Sequence, residues 1–150
     1  PDSTERNGTL SYWKSQNFKT EIHSLTIGDV NGDGRNEAVF VDGSKIYKLR
    51  VPPNVPVREF WSITVYDPAT RSQLQTDQQF PTLGSQDEGI KTNADGSMDV
   101  YFSPQAPKGM EGNWLQTIPG KGWFIALRIY GPEQPWIDQT WRPGEIELIK

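Results

Sequence analysis

Trp61-Ser62-Ile63-Thr64-Val65-Tyr66 and Trp123-Phe124-Ile125-Ala126-Leu127-Arg128-Ile129-Tyr130 are the two stretches on which the fold turns. The first alternates with the two-residue period of a pleated strand. The second places Trp123, Ile125, Leu127 and Ile129 on one face. Its other face carries Phe124, Ala126, Arg128 and Tyr130, which predicts a central strand covered on most of both sides. Working outward, further strands are predicted at Glu21–Ile27, Glu37–Val41, Ile46–Val51, Met98–Ser103 and Glu145–Ile149. Turns are predicted at Asp67-Pro68-Ala69-Thr70 and Asn93-Ala94-Asp95-Gly96, whose residue types suit turn geometry. Gln75 to Lys91 and Pro104 to Gly122 are long, polar and broken by Pro and Gly, so both read as loops of functional interest. Fourteen Gly and twelve Pro interrupt every helical period, and helix content is predicted to be low. Short strands between such turns make the fold class all-β, a sandwich or barrel.

Length and composition narrow the classes of function. A chain of 150 residues buries roughly two thirds of its unfolded surface, enough for one core without staples. The absence of cysteine excludes disulfides, thiolate zinc sites and cysteine nucleophiles. Fifteen basic against nineteen acidic residues give a net charge of -4, with Lys and Arg scattered, so no nucleic-acid partner is expected. No apolar run reaches the ~20 residues of a membrane span, and Pro1-Asp2-Ser3-Thr4-Glu5 is polar, so no membrane partner is expected either. Residues 1–20 read as a polar leader, although Tyr12, Trp13 and Phe18 argue against complete disorder there. Residues 21–150 read as a single β-sandwich domain, and the expected compartment is periplasmic or secreted.

One motif has clear chemistry. Asp29-x-Asn31-x-Asp33-Gly34-x-x-Glu37 places oxygen ligands at positions one, three, five and nine of a tight loop, with the Arg35 carbonyl at position seven. A hard cation, Ca2+, suits this set in a structural role. The twelfth position is Phe40, so the bidentate Glu of an EF-hand is missing, and the flanks read as strands. The competing reading is an Asx-rich hairpin turn without metal, since Asn-Gly and Asp-Gly are strong turn formers.

Other constellations are weaker. The one histidine, His23, lies on a predicted strand without a Gly-x-Ser-x-Gly elbow, and reads as an ordinary strand residue. Asp87 with Glu88, or Asp138 with Glu145, have the residue types that flank a glycosidic bond, yet such residues are usually solvated surface charges. Trp114, Trp136 and Trp141 are candidates for stacking on carbohydrate, against the commoner role of plugging a sandwich core. Trp136 and Trp141 sit among Pro135, Asp138, Arg142 and Pro143, which predicts a C-terminal segment strapped across the fold. Asn7-Gly8-Thr9 has the pattern of a glycosylation acceptor.

Two resemblances add to this reading. Asp42-Gly43-Ser44-Lys45, Val51-Pro52-Pro53-Asn54-Val55-Pro56-Val57, Phe60 to Asp67, Leu74-Gln75-Thr76-Asp77-Gln78, Asn113 to Trp123, Arg128-Ile129-Tyr130-Gly131-Pro132 and Thr140 to Glu145 occur in the order found in a bacterial family. Residues 42–150 thus resemble the family called domain of unknown function 1214. That resemblance implies a jelly-roll-like β-sandwich, usually the C-terminal half of a larger protein, and no established chemistry. Residues 22–41 instead resemble a single calcium-loop repeat of the FG-GAP or VCBS β-propeller type, which implies an N-terminal hairpin carrying the Asp29–Glu37 loop. One such loop without a second copy excludes a complete propeller. The change near Asp42-Gly43-Ser44-Lys45 suggests a chimera of two β folds, natural or engineered. The other reading is a family member whose first strands carry this loop.

The function expected from the sequence is therefore a non-enzymatic β-sandwich domain with structural calcium. Its alternative is a carbohydrate-binding or glycan-processing sandwich using loop tryptophans and carboxylates. Strand edges left unpaired would favour a homodimer.

Overall fold

The structure, a computed structural model, describes residues 44–149 together with the backbone of residues 26–28 and 37–39. In chain order the strands are β1 (Thr26–Gly28), β2 (Glu37–Val39), β3 (Tyr47–Val51), β4 (Val57–Tyr66), β5 (Thr82–Gly84), β6 (Met98–Ser103), β7 (Trp114–Gln116), β8 (Phe124–Pro132) and β9 (Ile146–Leu148). A 3-10 turn covers Glu111–Asn113, and a one-turn helix, α1, covers Gln134–Ile137. The described residues are thus all-β with almost no helix. They form a four-stranded sheet, β7-β6-β3-β9, and a three-stranded sheet, β5-β4-β8, while β1 pairs with β2. Every pairing is antiparallel except β6 with β7, which is parallel.

Side-chain alternation builds the core between the two sheets. Tyr47, Leu49 and Val51 of β3 and Met98, Val100 and Phe102 of β6 are buried from one side. Trp61, Ile63 and Val65 of β4 and Leu83 of β5 are buried from the other. Each fully buried aliphatic or Phe side chain contributes about 1.5–3 kcal/mol before entropy is counted. Trp123, just ahead of β8, is 0% exposed; it stacks on Phe102 at 4.9 Å and meets Tyr47 edge-on at 5.5 Å. A single side chain from one sheet thereby touches two strands of the other.

The structure changes the reading of several segments. The central strand is β4, which pairs with both β5 and β8, whereas β8 has only β4 beside it among the described strands. Its inner residues Ile125, Leu127 and Ile129 pack on the core as the alternation predicts, but Arg128 and Tyr130 on the outer face are exposed. The outer aromatics are covered sideways instead of by a second layer: Tyr130 stacks on Phe60 at 4.1 Å and Phe124 on Tyr66 at 5.3 Å. The two polar stretches expected to be loops each contain a short strand, β5 and β7. Three residues are too few to show a period, so neither was visible as alternation.

Buried side-chain amides hold those stretches in place. Asn113, 1% exposed, accepts from the Lys91 N–H at 2.7 Å and donates to the Lys91 carbonyl at 2.8 Å and the Asp99 carbonyl at 3.0 Å. Beside it the backbone at Gly112 runs so close to Gly89 that a Cβ would lie 2.1 Å from the Gly89 oxygen. At the C-terminal end, Trp141 donates from Nε1 to the Pro53 carbonyl at 3.1 Å, and Gly144 N–H bonds the Arg50 carbonyl at 2.8 Å. The segment after α1 is therefore a strap over the end of β3 and the loop that follows it, as the Trp-Pro composition predicts.

Both predicted turns form. At the first, Asp67 Oδ1 accepts from the Ala69 N–H at 2.8 Å, and Oδ2 lies 2.7 Å from Lys121 Nζ. The Lys121 ammonium, with the Ala69 N–H second, holds the Asp67 carboxyl below its ordinary value.

Two expected outcomes follow. Asn113→Ala leaves the Lys91 N–H and two carbonyls without partners and lowers unfolding free energy by about 2–4 kcal/mol, read by urea denaturation. A depressed carboxyl stabilises the fold above its unfolded pKa near ~4, and that contribution disappears as pH falls through the lower folded value. Asp67→Asn is therefore less stable than wild type at neutral pH, and the gap in Tm narrows as pH drops from about 5 towards 2.

Candidate functional site

The polar stretch after β4 lies along the outer edge of β7, and side-chain amides make the attachment. Gln78 donates from Nε2 to the Trp114 carbonyl at 3.2 Å and accepts at Oε1 from the Gln116 N–H at 2.7 Å. These are the bonds that a peptide group of a neighbouring strand would make. Gln116 answers with its own amide. Its Oε1 accepts from the Asp77 N–H at 2.9 Å, and its Nε2 donates to Asp77 Oδ2 at 3.1 Å and the Pro104 carbonyl at 3.3 Å. Past β7 the chain stays pinned to β6, the Thr117 N–H bonding the Ser103 carbonyl at 3.0 Å.

Between these stretches lies an open cleft of about 380 Å³, with Thr76, Asp77, Gln116 and Ile118 in its lining and Pro104 and Pro119 as rigid walls. Its lining also includes Gln75 and Thr117, and it joins segments some forty residues apart in sequence. Thr76 accepts at Oγ1 from the Gln78 N–H at 3.2 Å, which fixes the turn carrying Asp77. None of these residues stood out as a site in the sequence. The signal was present only indirectly, since Leu74 to Gln78 and Asn113 to Trp123 are two of the stretches that carry the family resemblance.

The residues singled out from the sequence are distributed otherwise. Asp29, Asn31, Asp33, Arg35 and the Glu37 side chain lie outside the described residues, as do His23 and Asn7. Among the described residues no three His, Asp or Glu side chains stand together as a metal site. Trp114 is half-buried with its Nε1 donating to the Ser103 carbonyl at 2.9 Å, and Trp141 is spent on the strap, so both indoles serve the fold. Trp136 leans on Trp141, with ring centroids 6.0 Å apart.

The carboxylates serve turns. Asp87 Oδ2 accepts from the Gly84 N–H at 2.7 Å, and exposed Glu88 and Glu145 stand on the surface. Asp138 Oδ1 takes the Thr140 hydroxyl at 2.7 Å and the Thr140 N–H at 3.1 Å, and these hold its carboxyl below the ordinary value. Asp95 is lowered by the Ser97 hydroxyl and N–H, with Arg50 at 2.7 Å adding to them. Its own backbone N–H, with that of Gly109 second, lowers Glu111 in the same direction.

Comparison with known proteins bears on the whole span. No curated protein matches the chain. Among solved structures, the VPA0106 protein from Vibrio parahaemolyticus is similar with a TM-score of 0.61 and 27% identity, over 85% of this chain and 30% of that one. A putative uncharacterized protein from Burkholderia cenocepacia gives a TM-score of 0.48 and 20% identity, over 73% of this chain and 27% of that one. The chain thus spans less than a third of the length of either protein. The family model described as protein of unknown function (DUF1214) matches residues 29–134. That span begins at the Asp29 loop and runs straight through residue 43, where a switch between two folds was expected from the sequence. Matching well over half of the chain, it shows that the chain belongs to the DUF1214 family.

Proposed function

We propose that the chain is a non-catalytic, jelly-roll-like β-sandwich module in which the Asp29–Glu37 loop holds a calcium ion in a structural role. The observation that carries the calcium reading is the register of β1 with β2, which sets Gly28 opposite Glu37. The two residues that bracket the loop, Gly28 and Glu37, are thereby side by side, which favours convergence of oxygens from Asp29, Asn31, Asp33, Glu37 and the Arg35 carbonyl. Two sheets packed face to face favour the jelly-roll-like arrangement, with the parallel β6–β7 pair as a local departure from it.

The non-catalytic part rests on what the carboxylates do. A general acid needs a carboxyl whose pKa is pushed up by burial or a like charge. Asp67, Asp95, Glu111 and Asp138 are all held down instead, Asp67 chiefly by the Lys121 ammonium and the other three by hydrogen bonds from groups within two residues of them. In this reading the loop is part of the family domain and not a grafted propeller segment, because one family match includes both. Self-association through strand edges falls to β1, β2, β5, β8 or β9 among the described strands, since Gln78 already occupies the edge of β7.

Calcium binding to the folded state alone raises stability by mass action, by about 2.7 kcal/mol at a hundredfold excess over Kd. The expected outcome is a rise in Tm on adding calcium, reversed by chelator and abolished in Asp29→Ala/Asp33→Ala. A Tm that stays constant across a calcium titration refutes the metal assignment.

A further inference from the structure

We propose that the cleft between Asp77 and Ile118 binds a neutral, hydroxyl-rich ligand such as a sugar ring. Hydrogen-bond accounting leads to this class. Both Nε2 protons of Gln116 are committed within the protein, to Asp77 Oδ2 and the Pro104 carbonyl. The Asp77 N–H is committed to Gln116 Oε1. Asp77 Oδ1 makes no hydrogen bond among the described residues and Gln116 Oε1 keeps a second lone pair, while the Thr76 hydroxyl, which accepts from the Gln78 N–H, and the exposed Gln75 amide keep protons to donate. A lining without cations that offers acceptors and donors side by side suits a neutral ligand whose groups both give and take hydrogen bonds, as hydroxyls do.

Charge and shape narrow the class further. No Lys, Arg or His lines the cleft, so an anion would meet the Asp77 carboxylate with nothing to neutralise it. An ammonium ion would satisfy the acceptors, but attraction to one exposed carboxylate is weak in water. It would also leave Pro104, Ile118 and Pro119 unused. A sugar ring uses both halves of the lining, its hydroxyls bonding Asp77 and Gln116 while its C–H face rests on the apolar walls. The volume lies within the range of small-ligand sites. Asp77 is also fixed before any ligand arrives, by Gln116 on one side and the Thr76–Gln78 turn on the other. Such preorganisation lowers the ordering cost of binding. The inference is independent of the calcium loop.

The test is a 15N-resolved NMR titration of the full chain with neutral mono- and disaccharides, with methylammonium and with inorganic phosphate. Saturable shifts confined to the amides of Gln75–Asp77 and Gln116–Ile118, produced by a saccharide and not by phosphate, are expected. Asp77→Asn keeps one oxygen for Gln116 but replaces an outward acceptor with a donor, and should weaken binding about tenfold or more at unchanged Tm. The wild-type titration decides the ligand class even if the variant folds poorly. Shifts from methylammonium alone, from phosphate, or from none of the probes overturn the proposal, as does a folded Asp77→Asn that binds saccharide as tightly as wild type.

Discussion

Trp123 is the wedge on which the two sheets close. It enters just ahead of β8, is fully buried, and touches Phe102 of β6 and Tyr47 of β3, so one indole ties the end of one sheet to two strands of the other. The Nε1 of this indole has no hydrogen-bond partner among the described residues. Leaving a buried donor unpaired costs about 1–3 kcal/mol, which the packing of a large aromatic offsets only if the fit around it is close. The inner rows of β3, β4 and β6 supply that fit, and the rest of the fold is arranged around their contact.

Around that core the molecule repeatedly uses side-chain amides where a strand or backbone group would otherwise serve. Asn113 brackets the peptide of Lys91, Gln78 takes the place of a strand on the edge of β7, and Gln116 holds the backbone of Asp77. Covering β7 in this way also removes an edge open to association. The same bonds make the cleft: the Gln116 amide that ties the long polar segment to the sheet commits both its protons inward and leaves Asp77 Oδ1 facing outward as an acceptor. Fold stability and the chemistry of the candidate site are therefore two consequences of one set of contacts.

The carboxylates illustrate how residue type misleads when position is unknown. Asp87 and Asp138 have the chemistry of hydrolytic residues, yet each is bound to a turn N–H only two or three residues away. A carboxylate stabilised in its charged form by local donors is a cap and a poor proton donor. Tryptophan shows the same effect, since the Trp114 and Trp141 indole N–H groups point to backbone carbonyls and their rings are half-buried.

Composition, turn chemistry and two-residue alternation were enough to determine the all-β class, the strands at β2, β3, β4, β6, β8 and β9, and the turns at Asp67 and Asn93, because these depend on neighbours along the chain. The order of strands was not legible. An outer face of Phe124 and Tyr130 looks the same whether a second layer or the ring of a cross-strand neighbour covers it. β5 and β7, three residues each within polar stretches, leave no period to read, and the cleft joins Asp77 to Gln116 across thirty-nine positions through bonds that exist only once both segments are placed. The tertiary structure decided which strand is central, which polar segments are ordered and where acceptors are left over, since each is a matter of contacts between residues distant in sequence.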